Sequence, residues 1–354
     1  MFADLYVQGC PGTNSQTVFS MLQKQINSKV EHAFSLNFEH VATIGKACPN
    51  NNWPSTLFGT KSTELSDYEF RKLGDVKISH ACSVIIVCDC ESNRILFYDL
   101  NTHQHKRTLH TFDIPYCLAI ECSDNGCDFL YYSSEYFVYK YNLDQLIRGE
   151  CSGPVWKSGE FSFNLLSRQG YRKPRLNQFQ HAKGLVVCHP KKVLPSGTEF
   201  DGNVLLVCHP TQFEVKMVMC TTGQVIGTFK VRTSGLSKKE GGGPVRIDVN
   251  SEGNLIIVDR GLRLYGKKGN GMVELQSFGA GLEFQRPHGV VVDKVNGNVI
   301  LCDCGNNRMV VLDENGTFIK EFKEDSEWHP NGVCIDVRTG YLYIADSKRI
   351  QVYK

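Results

Sequence analysis

Residues 286–293 read Arg-Pro-His-Gly-Val-Val-Val-Asp, residues 297–303 read Gly-Asn-Val-Ile-Leu-Cys-Asp, and residues 306–313 read Asn-Asn-Arg-Met-Val-Val-Leu-Asp. A second copy begins about 43 residues later, as Pro-Asn-Gly-Val-Cys-Ile-Asp at 330–336 and Gly-Tyr-Leu-Tyr-Ile-Ala-Asp at 340–346. Short apolar runs bounded by Gly, Pro, Asn and Asp are typical of buried strands. Their recurrence predicts a repeat architecture in which each unit packs mainly on its neighbours.

Six such units follow one another from about Leu73 to the end of the chain, and two of them are lengthened by insertions. Taking as anchor the residue after the Pro-like position of each unit, the anchors are Gly74, Tyr116, Lys183, Val245, His288 and Asn331. Turn pairs such as Asn296-Gly297 supply the positive φ angles of tight antiparallel turns. Four strands per unit in six units predict an all-β fold, a six-bladed β-propeller with four-stranded antiparallel blades.

The last unit stops after its third strand, so its fourth strand must come from elsewhere in the chain. Residues 40–45, His-Val-Ala-Thr-Ile-Gly, resemble the missing strand and its trailing glycine. We therefore expect an N-terminal strand to close the ring, which removes the last open sheet edge.

These motifs resemble the NHL-repeat family of six-bladed propellers, and the fifth unit contains the repeat almost whole. The resemblance covers about four-fifths of the chain and implies a propeller at residues 36–354. Residues 1–35 form a separate N-terminal extension in this interpretation. Apolar residues on one helical face predict a short helix there: Val18, Met21, Leu22, Ile26 and Val30.

Composition limits the possible settings of the protein. The formal net charge is +2, so no strong overall field directs the chain to nucleic acid or membrane. No run of eighteen apolar residues is present, and the first residues lack the basic region and apolar core that would predict a signal peptide. The fifteen cysteines fall largely within apolar strands. We therefore expect a cytoplasmic monomer with reduced core cysteines and no membrane association.

Acidic and basic residues recur together, because the second strand of a unit commonly ends in Asp and the third begins near Arg. Asp303 and Arg308 are one such pair. Recurrence at one position in successive units favours a structural role, in which a charge-assisted hydrogen bond fixes the turn.

The channel mouth, where the innermost strands begin, is the predicted binding face. Binding residues of repeat scaffolds concentrate on loops of this kind. We expect a non-enzymatic scaffold for a protein or peptide partner, or for single-stranded RNA, which resemblance to RNA-binding NHL propellers implies. Tyr116 and His288 could stack there with Trp328. The predicted binding residues are Tyr116, Lys183, Arg246, His288, Asn331, Arg172, Lys173 and Arg175.

The alternative is a metal-dependent propeller enzyme. Resemblance to peptidyl amidating lyases would imply three histidines at anchor positions, but only His288 is a histidine. Resemblance to lactonases would imply carboxylates and Asn, and Asn331 alone fits. The sequence therefore predicts no catalytic residue, no metal site and no cofactor.

Overall fold

The computed structural model describes residues 30–48, 66–123, 126–159, 179, 181–194, 202–231 and 242–354. The helix predicted within the N-terminal extension lies outside these residues, except for the exposed Val30. Strand β1 (His40–Ile44) is followed by β2 (Lys46–Ala47) and β3 (Glu69–Phe70), which pair in parallel.

Strands β4 to β26, together with β1, form six four-stranded antiparallel sheets, and the predicted six-bladed propeller is confirmed. Blade 1 contains β4 (Leu73–Ser79), β5 (Val84–Asp89), β6 (Arg94–Asp99) and β7 (His105–His110). Blade 2 contains β8 (Cys117–Glu121), β9 (Phe129–Ser133), β10 (Val138–Asn142) and β11 (Trp156–Ser158). Blade 3 contains β12 (Leu185–Cys188), β13 (Val204–His209), β14 (Glu214–Met219) and β15 (Val225–Lys230). Blade 4 contains β16 (Arg246–Val249), β17 (Leu255–Val258), β18 (Leu262–Lys268) and β19 (Gly271–Phe278). Blade 5 contains β20 (Pro287–Val292), β21 (Val299–Asp303), β22 (Arg308–Leu312) and β23 (Phe318–Phe322). Blade 6 contains β24 (Pro330–Asp336), β25 (Tyr341–Asp346) and β26 (Ile350–Tyr353). A short helix α1 (Leu143–Arg148) follows β10 and is capped by the Asn142 side chain.

Strand β1 supplies the fourth strand of blade 6, as the sequence predicts. It pairs with β26 in antiparallel register, with His40 opposite Tyr353 and Ile44 opposite Ile350. The innermost strands β4, β8, β12, β16, β20 and β24 each contact the next, and β24 contacts β4. The ring is therefore closed both at its centre and within its last blade.

The apolar core is divided among the six interfaces between neighbouring blades, since strands of adjacent blades contribute to each cluster. Phe34 and Phe38, from the segment before β1, are buried between blades 5 and 6. The Phe34 amide also donates to Asp293 at 2.9 Å. Part of the N-terminal extension expected at 1–35 is thus packed into the propeller.

The described cysteines are free thiols, and those predicted in strands are buried, including Cys208 and Cys302. No helix among the described ranges is long and apolar enough to cross a bilayer.

Candidate binding face

We call the end of the ring where the innermost strands begin the upper face, and the opposite end the lower face. Each second strand runs back to the upper face, so the loops between second and third strands also lie there. The recurring Asp/Arg pairs sit in these loops. They form ion pairs in four blades: Asp89–Arg94, Asp259–Arg263, Asp303–Arg308 and Asp346–Arg349.

Asp303 shows what these pairs do. Its fully buried carboxylate accepts from Arg308 Nε at 2.7 Å, from the Gln285 amide at 2.7 Å and from Asn306 Nδ2 at 2.7 Å. The loop between β21 and β22 is thereby fixed to the chain that enters β20. The structural role predicted for the pairs agrees with this geometry.

Lys183 and Tyr116 lie together at the channel mouth, both half-buried. The Lys183 ammonium sits 2.9 Å from the centroid of the Tyr116 ring, a cation–π contact. The Tyr116 hydroxyl donates to Glu135 at 2.6 Å, and Glu135 also accepts from His181 Nδ1 at 2.6 Å. Burial, and then the charge of Arg246, lower the pKa of Lys183 to about 8.

Arg246 is placed differently from the surface cation that the sequence predicts. It is the first residue of β16, and only 8% of it is exposed. Its Nη1 donates to the Val245 carbonyl at 3.0 Å and its Nη2 to the Gly74 carbonyl at 3.2 Å. Since Gly74 belongs to blade 1 and Arg246 to blade 4, the side chain reaches across the channel between opposite blades.

His288, at the second position of β20, is half-buried beside these cations. Burial, followed by the charges of Arg246 and Lys183, lowers its pKa to about 3. The imidazole is therefore neutral at physiological pH. Its Nδ1 is buried without a hydrogen-bond partner.

Asn331 is buried, and its amide is used within the ring. Nδ2 donates to the Leu73 carbonyl at 3.1 Å, and Oδ1 accepts from Cys304 Sγ at 3.5 Å. These bonds join blade 6 to blades 1 and 5. Of the remaining predicted binding residues, Arg172, Lys173 and Arg175 lie outside the described part of the chain.

Trp328 corrects a sequence-based expectation. It is 1% exposed, packed against Phe322, and its indole N–H donates to Gln351 at 2.7 Å. Because the ring is enclosed, it offers no surface on which a ligand could stack.

Apart from Glu135, which pairs with His181 beside the mouth, the acidic residues in the segments that precede β4 and β24 pair with cations near the rim. These pairs are Asp67 with His105, Glu69 with Lys46, Asp325 with Arg349, and Glu327 with Lys348. The central cations Lys183 and Arg246 form no ion pair with any described carboxylate. The mouth therefore holds two cations outside any ion pair of the described residues, with Glu135 as an acidic group whose charge acts on Lys183.

Two features of this region carry no recognisable sequence signal. The connector from blade 1 to blade 2 exposes Phe112 by 81% and Ile114 by 38%, and it ends at Tyr116. Below Arg246, towards the lower face, the channel contains a cavity of about 340 Å³, which residues of all six innermost strands line, most of them aliphatic. Neither follows from the repeat pattern, because one lies in a connector and the other depends on how six strands converge. Among the described residues, no group of three or more His, Cys, Asp or Glu is arranged to hold a metal ion.

Comparisons with known proteins agree with this architecture. A family model of the NHL repeat matches residues 284–312, which cover the approach to blade 5 and its first three strands. A search of curated protein sequences found no match.

Several solved structures share the fold. A streptogramin B lyase structure is 13% identical with a TM-score of 0.50, covering 80% of this chain and 93% of that chain. A catalytically inactive histidine-to-alanine variant of virginiamycin B lyase from Staphylococcus aureus, with quinupristin, is 15% identical with a TM-score of 0.50, covering 81% and 83%. The propeller domain of Cps50 (Swd1) from Myceliophteria thermophila is 11% identical with a TM-score of 0.51, covering 80% and 96%. At these identities the likeness concerns the fold alone.

Proposed function

Since the chain is an NHL-repeat six-bladed β-propeller, we propose that it is a non-enzymatic scaffold that holds an extended segment of a protein partner on its upper face. One observation supports this most strongly. Phe112 and Ile114 project from the connector that leads to the cationic mouth at Lys183. Exposed apolar side chains beside polar, half-buried groups are typical of protein-binding surfaces.

A protein partner suits this surface better than single-stranded RNA. RNA-binding grooves combine stacking aromatic rings with cations that follow the phosphate backbone. Here the rim cations Lys348 and Arg349 are paired with carboxylates, Trp328 is buried, and Phe112 is a single exposed ring on the connector rather than a series of stacking surfaces. An aliphatic side chain such as Ile114 gains more from an apolar peptide residue than from a base.

The test compares two variants in partner capture from an extract, with the purified protein as bait. Phe112→Ser with Ile114→Ser removes the exposed apolar pair from the connector. Phe318→Ser with Ile319→Ser is the matched control, because this Phe/Ile pair is also exposed but lies on the outermost strand of blade 5.

We expect specific partners to be lost with the first variant and kept with the control. Equal recovery by both variants would place the binding surface elsewhere. Recovery that disappears after nuclease treatment, and that falls steeply with salt, would instead support RNA binding at this face.

A metal-dependent lyase or lactonase is the second candidate. The neutral, half-buried imidazole of His288, whose Nδ1 has no hydrogen-bond partner, favours it, since a neutral imidazole can ligate a metal ion. The lyases named above share the fold with this chain. The test is metal analysis of the purified protein and of His288→Gln. Stoichiometric zinc or calcium in the wild type would support this candidate over the scaffold if the variant loses both the metal and a lyase or lactonase activity.

A further inference from the structure

Arg246 is a buried cation without a counter-ion among the described residues. Its side chain forms no ion pair with any described Asp or Glu, although it is enclosed within the ring. Removing a guanidinium from water without pairing it is unfavourable, so buried arginines normally contact a carboxylate. This arrangement therefore needs a reason beyond the fold.

The hydrogen-bonding capacity of Arg246 is also only partly used. A guanidinium has five N–H donors in a planar fork that matches the geometry of carboxylate and phosphate groups. Two backbone carbonyls, those of Val245 and Gly74, accept from Nη1 and Nη2. Nε is buried and has no acceptor.

The charge of Asp75 favours the protonated form of Arg246, but Asp75 does not contact the guanidinium and its oxygens accept from other donors. Asp75 accepts from Lys77 Nζ at 2.9 Å and from the amides of Val76 and Leu118. Glu135, at the mouth, accepts from Tyr116 and His181.

The thiols that surround the guanidinium add no negative charge. Burial raises the pKa of Cys117 to about 11 and that of Cys88 well above its usual range. The other charged neighbours at the mouth are cations. Lys183 lies over Tyr116, and the charges of Arg246, Lys183, Lys72 and Arg286 all act on His288.

We propose that the mouth of the channel is a pocket for a single oxyanion group, which Arg246 and Lys183 bind together. This inference rests on the proposed function, because it assumes that the oxyanion belongs to the partner segment held on the upper face. A carboxylate, from a chain terminus or an acidic side chain, and a phosphate group share the required chemistry. Because Arg246 crosses the channel, the group stops at the mouth and does not enter the cavity below.

The pocket can be tested without the partner. Thermal melting is measured with acetate, and separately with inorganic phosphate, each against chloride at constant ionic strength. A ligand that binds only the folded state raises the melting temperature as its concentration increases. We expect at least one of the two anions to do so in the wild type, acetate identifying a carboxylate and phosphate identifying a phosphoryl group.

Two variants assign the effect to Arg246. Arg246→Met keeps an extended side chain but removes the charge and the planar set of N–H donors. The affinity of the protein for the anion should therefore fall at least about 10-fold. Arg338→Met removes the same formal charge from an exposed residue at the lower face and should leave the anion effect unchanged.

The stability of Arg246→Met without added anion separates a binding role from a structural one. Arg246→Met removes a buried charge but also leaves the Gly74 carbonyl without this donor, so the two effects oppose each other and the melting temperature should change by only a few degrees. A clear fall in its melting temperature, together with no anion effect in the wild type, would make Arg246 a cross-link between blades and overturn the pocket. If the anion binds but the Phe112→Ser, Ile114→Ser variant still captures every partner, the anion pocket is supported and the proposed function is contradicted.

Discussion

Gly332 of the last blade lies directly against Asp75 of the first. A Cβ atom at position 332 would come within 2.5 Å of the Asp75 Cα and 3.1 Å of its carbonyl carbon. The contact is between backbones of two innermost strands, β24 and β4, so no flexible side chain can move aside. Because glycine has no side chain, β24 and β4 can approach each other this closely, and this approach closes the ring at its centre.

Gly332→Ala should therefore destabilise the propeller by on the order of 1–3 kcal/mol, as overpacking in a close-packed interior does. Gly271→Ala is the control, because nothing lies within 4 Å of its Cβ position and it lies on an outermost strand. Urea denaturation of the two variants measures the difference. A Gly332→Ala protein as stable as the Gly271→Ala protein would mean that the innermost strands can separate without cost.

Asp303→Ala should lower the free energy of unfolding by on the order of 1–3 kcal/mol, because it leaves Arg308 Nε and the Gln285 amide without their acceptor. Glu321→Ala removes the other, more exposed partner of the same arginine and should cost at most about 1 kcal/mol. Partner binding by the folded fraction should be unchanged in both. Wild-type stability with lost binding in Asp303→Ala would make the carboxylate a site residue.

Deletion of residues 1–46 should cause aggregation, because it uncovers the outer edge of β26 and removes Phe34, Phe38 and Ile44 from the core. Deletion of residues 1–14 should leave a protein with the same oligomeric state and melting temperature as the full chain. Size-exclusion chromatography with light scattering, followed by thermal melting, distinguishes the two. A soluble protein without residues 1–46 that melts cooperatively would show that blade 6 tolerates three strands.

Lys183 should make stability depend on pH above neutrality. Its pKa in the folded protein is about 8, below the ordinary value of 10.5, so between these values the unfolded chain binds more protons. The wild type should therefore gain stability relative to Lys183→Met as the pH rises from about 8 to 10.5.

The measurement is the difference in unfolding free energy between the two proteins across this pH range. The same comparison for Lys191→Met, an exposed lysine at the lower face, sets the baseline. A difference that does not change with pH would mean that the Lys183 ammonium is well solvated at the mouth.

Much of the fold could be predicted because each blade of the propeller corresponds to a short repeated pattern of residues in the sequence. Apolar runs, turn pairs and Asp/Arg positions recur at fixed spacing, and the strand at residues 40–45 was recognisable by its likeness to the other outer strands. Each of these features depends on a few neighbouring residues in the chain, so each leaves a signal in the sequence.

The environment of the candidate site could not be predicted in the same way. Arg246 and Gly74 are 172 residues apart, and only the closed ring brings the guanidinium to that carbonyl. Trp328 occupies a loop position that favours exposure, but Gln351 and Phe322 enclose it. Burial at the centre of a propeller depends on six strands at once, whereas the sequence pattern describes one blade at a time.

The closing strand has a consequence for synthesis of the chain. Residues 40–44 leave the ribosome roughly 300 residues before their pairing partner at 350–353, which at about 5–20 residues per second corresponds to roughly 15–60 s. For most of that interval Phe34 and Phe38 have no blade on which to pack, because their core cluster is formed by strands of blades 5 and 6. The nascent chain therefore exposes an apolar segment near its start until its last strands are made, a window in which a chaperone would recognise it.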